Sequence, residues 1–574
     1  MADFAVIVGP PEAVSARTPF GMELVMSGAG LAVFCDAGLG VLDLSGAGVV
    51  LGTLFERESA ASIPSLSPAQ AARIVRTRGL DVVESFWGGY VAIIADLAQA
   101  RVDVLRDPSG VVPACRLEQD GVTIVCSRLD IALDAGFRRP MLDWSCVHQL
   151  LAFPNLRGHR TGLKGVEELL PGRRLTFEGG VARLETSLWS PWPYADKSAQ
   201  ILDPVAAAGA VRTAVERSVT GWASVSSPLV VELSGGLDSS IIASCLDQPT
   251  VLATFVNFVT PTAEGDERDY ARLVAQAAGR TLIERPATAE AVDVARARPG
   301  RHPRPASQAL LHPIETAFAA VGQDLQARAF FSGLGGDNVF CSSSTSGPAA
   351  DALLMYGPGR EFRQAIHALC LRHNCTLWTA LRATLRKAVK AREGISHQPV
   401  TEYLSMVAPE PDPPDHPWLA GAPGVLPGKR EHVASILLAQ GFLDRYEHAQ
   451  IAPVRFPLLA QPVMEACLRV PTWLSNAGGR NRAVARDAFA DRLPKRVLER
   501  QTKGGLNAFM GEAFNRNRQR LAEQLVRGWL ATAGLVDGKA IAATLETPSP
   551  NGAAIARLFY LADVEAWART WGQT

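Results

Sequence analysis

Two glycine-rich stretches concentrate the residues best suited to chemistry. In the first, Val230-Val231-Glu232-Leu233 runs straight into Ser234-Gly235-Gly236-Leu237-Asp238-Ser239-Ser240. The paired glycines let backbone N–H groups crowd against an anion, and the hydroxyls that follow open a helix whose N-terminus favours negative charge. Asp238 would repel a phosphate directly, so its presence in such a cradle calls for a cation between the two. In the second stretch, Ala329-Phe330-Phe331 is followed by Ser332-Gly333-Leu334-Gly335-Gly336-Asp337-Asn338, again a glycine nest with one carboxylate. Neither stretch is a Walker loop, because neither has the GxxxxGK[ST] spacing. At the C-terminal edge of a parallel sheet the two would face one crevice, and Asp238 and Asp337 could hold one Mg²⁺ there.

The elements that must carry these loops are legible from periodicity. Pro228–Leu233 is a continuous apolar strand, and Ser239–Asp247 follows it as a helix. Val251–Phe258 is a second strand, and Asp266–Ala278 a second helix. Alternation of this kind predicts a parallel sheet covered by helices, and beyond Asp351 the pattern is mainly helical. The first ~190 residues differ. Short Val-, Ile- and Leu-rich runs (Phe4–Val8, Leu31–Phe34, Tyr90–Asp96, Arg101–Leu105, Val122–Cys126 and Arg174–Phe177) are punctuated by Gly, Asp and Pro. They predict stacked antiparallel sheets, with one helix over Ser67–Arg78 capped by Ser67. Trp189–Pro204, rich in Trp and Pro, reads as the linker.

Composition narrows the function. The 574 residues carry 57 Lys+Arg against 57 Asp+Glu, and 47% are hydrophobic. Charge balance argues against a nucleic-acid partner, and the apolar content against a disordered chain. No apolar run reaches the ~18 residues of a membrane span, and Met1-Ala2-Asp3-Phe4 does not read as a signal peptide. Nine scattered cysteines without a CxxC pair fit a reducing, cytoplasmic setting better than a disulfide framework.

The first loop matches the SGGxDS loop of the PP-loop ATP pyrophosphatases, and the two loops in this order resemble the asparagine-synthetase family. Phe86-Trp87-Gly88-Gly89-Tyr90, Arg106-Asp107-Pro108-Ser109-Gly110 and Leu170-Pro171-Gly172 resemble that family's glutaminase half. Arg455-Phe456-Pro457-Leu458-Leu459, Leu493-Pro494 and Arg500-Gln501-Thr502-Lys503-Gly504-Gly505 resemble its synthetase half. The resemblance implies an α+β sandwich of the N-terminal-nucleophile glutaminase type over residues 1–188. An α/β PP-loop synthetase domain with a parallel sheet and a helical C-terminal region follows over 205–574. Glutamine-hydrolysing members expose a cysteine after Met removal, whereas position 2 here is Ala2, so the sandwich reads as a relic without the amidase thiol. Cys35, Cys115, Cys126 and Cys146 are internal. Leu334 stands where asparagine synthetases carry Glu and β-lactam synthetases Tyr, and a leucine transfers no proton.

The remaining branch is the lasso-peptide cyclases, which Gly333–Asp337 and Gly265-Asp266-Glu267-Arg268 resemble. Such an enzyme joins the N-terminal amine of a core peptide to an internal Asp or Glu side chain through an acyl-adenylate, releasing pyrophosphate and AMP. The resemblance assigns Ser234, Gly235, Gly236, Ser239 and Ser240 to pyrophosphate, with Ser332 and Gly333 across from them. It puts adenine near Leu233 and Asn257, Mg²⁺ on Asp238 and Asp337, and a charge-stabilising role on Lys503. A peptide amine titrates near ~8, so a strong general base is not required, which fits Leu334. A leader peptidase and a leader-binding protein are the expected partners, beside the core peptide itself. Closure of a small molecule, ammonia-dependent asparagine formation and an inactive peptide-binding paralogue are the alternatives.

His367, Cys370, His373 and Cys375 could suggest zinc, but Ala365–Leu381 alternates as an ordinary amphipathic helix. Arg382, Arg386, Lys387, Lys390 and Arg392 read as a solvated helix face with some capacity to dock an acidic leader or partner. Glu267 and Arg268 fit either helix capping or a substrate contact. Arg296–Pro305 and the proline-rich Ala408–Pro427 read as mobile loops, the second as a connector or a lid.

Overall fold

The computed structural model describes residues 3–260, 265–298, 300–306, 308–392, 397–406, 410–421, 423–502 and 504–572. Twelve short strands in the first third form two six-stranded antiparallel sheets. One runs Val166–Glu168, Cys115–Gln119, Val122–Cys126, Phe4–Val8, Leu31–Cys35, Glu23–Gly28. The other runs Val181–Ser187, Arg173–Glu178, Arg101–Arg106, Phe86–Asp96, Gly48–Glu56, Val41–Asp43. Period-2 alternation explains how they stack. Phe4, Val6 and Val8 face inward to meet Val49, Val91 and Val104 of the other sheet. Ala5 and Ile7 point the opposite way, onto the helices carrying Ile131, Val147 and Leu151. On the far side Tyr90, Ala92 and Ile94 pack under the helices carrying Ile74 and Val82. The result is four layers: helix, sheet, sheet, helix. The predicted helix occupies Pro68–Arg76, and Ser67 and Gln70 close a reciprocal capping box at its start.

The stretch expected to be a linker is packed. Trp189 is buried, its indole Nε1 donates to Glu465 at 2.9 Å, and its ring lies 5.5 Å from that of Trp418. A short helix follows at Trp192–Ala195. A long one then begins at Pro204, where Asp203 accepts from the Ala206 N–H at 2.7 Å.

The third sheet is five-stranded and wholly parallel. Its order is Leu282–Pro286, Ala253–Val259, Leu229–Glu232, Ala329–Phe331, Val454–Arg455. Val230 and Val231 are fully buried because helices cover both faces. The two central strands end beside one another, in register from Leu229/Ala329 to Val231/Phe331. This pairing brings the two glycine loops together. Among the described residues after Gly347 the regular structure is helical apart from Val454–Arg455 and isolated bridges.

Two expectations need correction. The helix expected over Ala365–Leu381 is two helices, Arg360–His373 and Leu377–Val389. Asn374 at φ 49° ends the first and Thr376 caps the second. Among the described residues no group of three or more His, Cys, Asp or Glu side chains could hold a metal, and His367, Cys370, His373 and Cys375 are no exception. Among its described residues the Arg296–Pro305 segment has no helix or strand, yet it is anchored. Arg298 and Arg304 are buried, and Arg304 bonds to Glu168 and to the Gly158 and Arg160 carbonyls.

In the proline-rich stretch Ala408, Pro409 and Ala422 lie outside the described residues, while His416 and Trp418 are buried. Of the basic run, Arg382, Arg386 and Lys390 are exposed and Lys387 pairs with Glu431; the side chain of Arg392 is outside the described set.

Candidate active site

The first loop turns on Gly235, whose φ of +74° favours glycine. A β-carbon there would also lie 2.6 Å from Cβ of Tyr270 and 2.7 Å from the Ala271 nitrogen. Gly236 caps the helix Leu237–Ser244. Within the turn, the Ser234 and Ser239 hydroxyls lie 3.1 Å apart, and the Gly236 N–H donates to Ser234 Oγ at 3.3 Å. The second loop presses against the first. A β-carbon on Gly336 would fall 2.3 Å from Cγ of Asp238, and one on Gly333 would fall 3.0 Å from the Ser239 nitrogen. Gly335, at φ +89°, backs onto Leu459 of the Arg455–Leu459 segment. Gly336 is therefore required by the Asp238 side chain, and Gly333 by the backbone at Ser239.

Between the loops lies a polar cavity of about 360 Å³, bordered by Ser234, Gly236, Asp238, Ser239, Ser332, Gly333, Leu334 and Asp337. Gly235 and Ser240 border neither this cavity nor its larger neighbour. Ser240 is fully buried behind the turn, and its hydroxyl meets no partner among the described residues. Asp238 and Asp337 converge, as expected of a cation site, but the group they share is Arg482. Its Nη1 donates to both oxygens of Asp238 at 2.9 and 2.8 Å and pairs with Asp337 Oδ1 at 2.7 Å. Arg482 reaches this position from a left-handed backbone at φ 52°. Its charge is felt nearby: burial first, then Arg482 and Arg480, lowers the Arg486 guanidinium to about 10.

A second cavity, about 710 Å³, adjoins the first. Its wall is largely aliphatic and aromatic, including Val256, Phe258, Leu310, Ile314, Phe442 and Phe509. Leu233 and Asn257 border it. Asn257 is 2% exposed; its Nδ2 donates to the Leu233 carbonyl at 2.8 Å, which fixes the amide, and its Oδ1 meets no donor among the described residues. Such an acceptor asks for a donor from a ligand. Glu232 and Ser234 border both cavities. Among the described residues of 408–427, none borders the larger cavity.

Lys503 lies outside the described residues. Its neighbours are positioned by Glu267, which bonds to Arg500 and accepts from the Gly504 N–H at 3.0 Å. Glu267 thus secures the Arg500–Gly505 stretch, whereas Arg268 folds back onto Asp266. A β-carbon on Gly265 would lie 2.7 Å from the Gly505 carbonyl oxygen, so the two strands of chain approach closely here as well.

Residues 210–569 match the asparagine synthase family. The chain belongs to that family. It is accordingly an ATP-dependent amide ligase, a carbon–nitrogen ligase of the asparagine synthetase type. Two solved structures are similar to the chain. One is described as the allosteric regulatory enzyme of purine biosynthesis, at 11% identity over 50% of this chain and 81% of that one, with a TM-score of 0.22. The other is glutamine phosphoribosylpyrophosphate amidotransferase from B. subtilis complexed with ADP and GMP, at 10% identity over 58% and 90%, with a TM-score of 0.22. Scores this low carry no weight for fold or activity. No curated protein matches the sequence. No helix among the described residues is long and apolar enough to cross a membrane.

Asparagine synthase family enzymes use ATP, typically with Mg²⁺, and the donor set fits that metal. Two carboxylates already gather around one positive charge, which leaves the remaining positions to water and phosphate oxygen, as Mg²⁺ prefers. Sequence reasoning missed Glu232, Arg482 and Tyr446. The signal for Glu232 was present, a lone carboxylate closing an otherwise apolar strand. Arg482 and Tyr446 come from distant segments with no spacing relation to the loops.

Proposed function

We propose that this ligase is a lasso-peptide cyclase. It adenylates an Asp or Glu side chain of a core peptide, then joins that carbonyl to the peptide's own N-terminal amine. The observation that carries the reading is the pairing of two cavities. A polar cradle of glycine loops opens beside an apolar chamber of about 710 Å³, within the size range of a ligand pocket. Leu334 borders the polar cradle and supplies no proton-transfer group there, which separates the chain from the Glu- and Tyr-bearing branches of the family.

The chemistry follows from leaving-group ability. A carboxylate resists amines because its oxygen leaves poorly. Attack of that carboxylate on the α-phosphorus of ATP makes an acyl-adenylate and releases pyrophosphate. The amine then attacks the acyl carbon, gives up a proton, and expels AMP. Ser234, Gly236 and Ser239, with the N-terminus of the Leu237–Ser244 helix, hold the departing pyrophosphate. Asp238 and Asp337 would hold Mg²⁺, which when bound offsets charge on the phosphates. Arg482 must turn away from the aspartates for that, and the phosphates are the anions within its reach. Lys503 would stabilise charge on the α-phosphate and the developing oxyanion. Asn257 Oδ1 is suited to accept from the adenine amino group.

The antiparallel sandwich, residues 1–188, serves as a glutaminase-derived support and not as a source of ammonia; the ligase proper spans 205–574. Its cysteines support this. Burial raises the Cys35 thiol and pushes Cys146 up to about 11. Cys126 is raised by its hydrogen bond with Cys115 and by burial. None of the three is poised as a thiolate. A leader peptidase and a leader-binding protein would supply the freed core peptide in the cytoplasm.

The test is direct. The full-length protein is incubated with ATP, Mg²⁺ and synthetic linear peptides carrying a free N-terminus and an internal Asp or Glu. Pyrophosphate, AMP and a peptide lighter by one water are the expected products. Asparagine formed from aspartate and ammonia, or closure of a small amino acid with no peptide product, would replace this reading with another amide ligase. No AMP from any of these acids would overturn it.

A further inference from the structure

Glu232 is the residue that the family resemblance does not account for. It is the last residue of the central strand Leu229–Glu232, half-buried after three buried apolar positions. It borders both the polar cradle and the apolar chamber, a property it shares with Ser234. Its carboxylate is oriented from behind: Ser332 Oγ donates to Oε2 at 2.9 Å, and the Tyr446 hydroxyl lies 3.4 Å from Ser332 Oγ. Burial raises the Tyr446 phenol first and the Glu232 charge raises it further, so Tyr446 stays a neutral phenol.

The position of Glu232 has a consequence for any nucleotide that uses both cavities. With its base beside Asn257 and its phosphates in the cradle, the part that must cross the junction is the sugar. We propose that Glu232 binds the ribose hydroxyls of ATP and makes the site selective for a ribonucleotide; this rests on the ATP-dependent reading of the two cavities. A carboxylate is acceptor-only and has two oxygens, which suits a vicinal diol that offers two donors. The same chemistry serves dinucleotide-binding folds, where an acidic residue takes the ribose hydroxyl. A serine held on one oxygen and a strand end beneath it keep the carboxylate from wandering, so little ordering remains to be done on binding. A deoxynucleotide would offer this carboxylate one donor fewer, with Ser332 still in place. Sites built to hydrogen-bond a hydroxyl reject the analogue lacking it more strongly than apolar pockets reject an extra methylene.

The experiment needs no peptide. Calorimetry on the full-length protein with Mg²⁺ compares ATP, 2′-deoxyATP and 3′-deoxyATP, for the wild type, Glu232→Gln and Glu232→Ala. The wild type is expected to bind ATP at least ~10-fold more tightly than one or both deoxynucleotides, the range of one charge-assisted hydrogen bond. Glu232→Ala should bind all three alike. Glu232→Gln, which keeps an acceptor for Ser332 and guards against misfolding of the Ala variant, should lose most of the discrimination while melting within a few degrees of wild type. Discrimination that survives in both variants overturns the proposal and leaves the ATP reading standing. So does equal binding of the three nucleotides by the wild type, or a uniform loss for all three in both variants. A wild type that binds no nucleotide sinks the ATP reading and this assignment together.

Discussion

Arg482 occupies the place proposed for a metal ion. Two carboxylates 99 residues apart in sequence meet on one guanidinium, which lies between them at hydrogen-bond distance. A cation bound there has to compete with an intramolecular one. Arg482→Gln should therefore bind Mn²⁺ without nucleotide, read by the loss of the free-ion electron paramagnetic resonance signal. The wild type should take up the ion only once ATP is added. Equal uptake by both proteins without nucleotide would show that Arg482 does not guard the site. Asp238→Asn should lower pyrophosphate release by ~100-fold or more, because charge stabilisation at the phosphates is lost where it counts most. A turnover within threefold of wild type would remove Asp238 from the metal. The convergence of Asp238 and Asp337 was readable from sequence, because a carboxylate in each of two facing glycine loops calls for a cation between them. Arg482 was not readable, since its partnership depends on a fold that returns the chain more than 140 residues after the second loop.

At the scale of elements, the two glycine loops are one structure. The Cβ positions of Gly333 and Gly336 fall on Ser239 and Asp238, so the second loop is shaped by the first. Gly336→Ala should displace Asp238 and cut turnover at least ~10-fold while the melting temperature changes little, because the strain falls on a site side chain and not on the core. A large melting loss with activity per folded molecule intact would contradict this. Glu267 acts at the same scale. It ties the start of the helix Arg268–Ala278 to the Arg500–Gly505 stretch. Glu267→Ala should lower kcat and leave the affinity for ATP nearly unchanged; an unchanged kcat would reduce Glu267 to a capping residue. The strands named from sequence were legible to within a few residues because buried strands of both halves read as unbroken apolar runs. The break at Asn374 was not legible, because apolar periodicity continues across it and only the left-handed backbone reveals the turn.

At the scale of the molecule, the sandwich is joined to the ligase half by charge. Glu168, buried on the sandwich, accepts from Arg106 at 2.8 Å and from Arg157 at 3.2 Å, and also pairs with Arg304. Arg157 reaches across to Asp444 at 2.6 Å. Composition could not foretell this network, since its members sit in segments that read as loops or as isolated charges. Burial costs Asp444 some acidity, but Arg157 and Arg106 outweigh it and hold the carboxyl down at about 2. Its folded pKa is thus below the ordinary value of ~3.9. The stabilisation Asp444 gives is therefore complete above about pH 4 and disappears as pH falls through 2. Removing Glu168 is more severe, because three guanidiniums then lose their common carboxylate in a low-dielectric setting. Glu168→Gln should cost ~3–5 kcal/mol, the range for breaking a buried pair from one side. Urea unfolding at pH 7 should show the transition either shifting to lower denaturant as a whole or splitting, with the sandwich and the parallel-sheet half melting apart. A transition that stays single and moves by less than ~1 kcal/mol would mean that the apolar contacts of Trp189, Trp418 and their neighbours hold the halves together without this network.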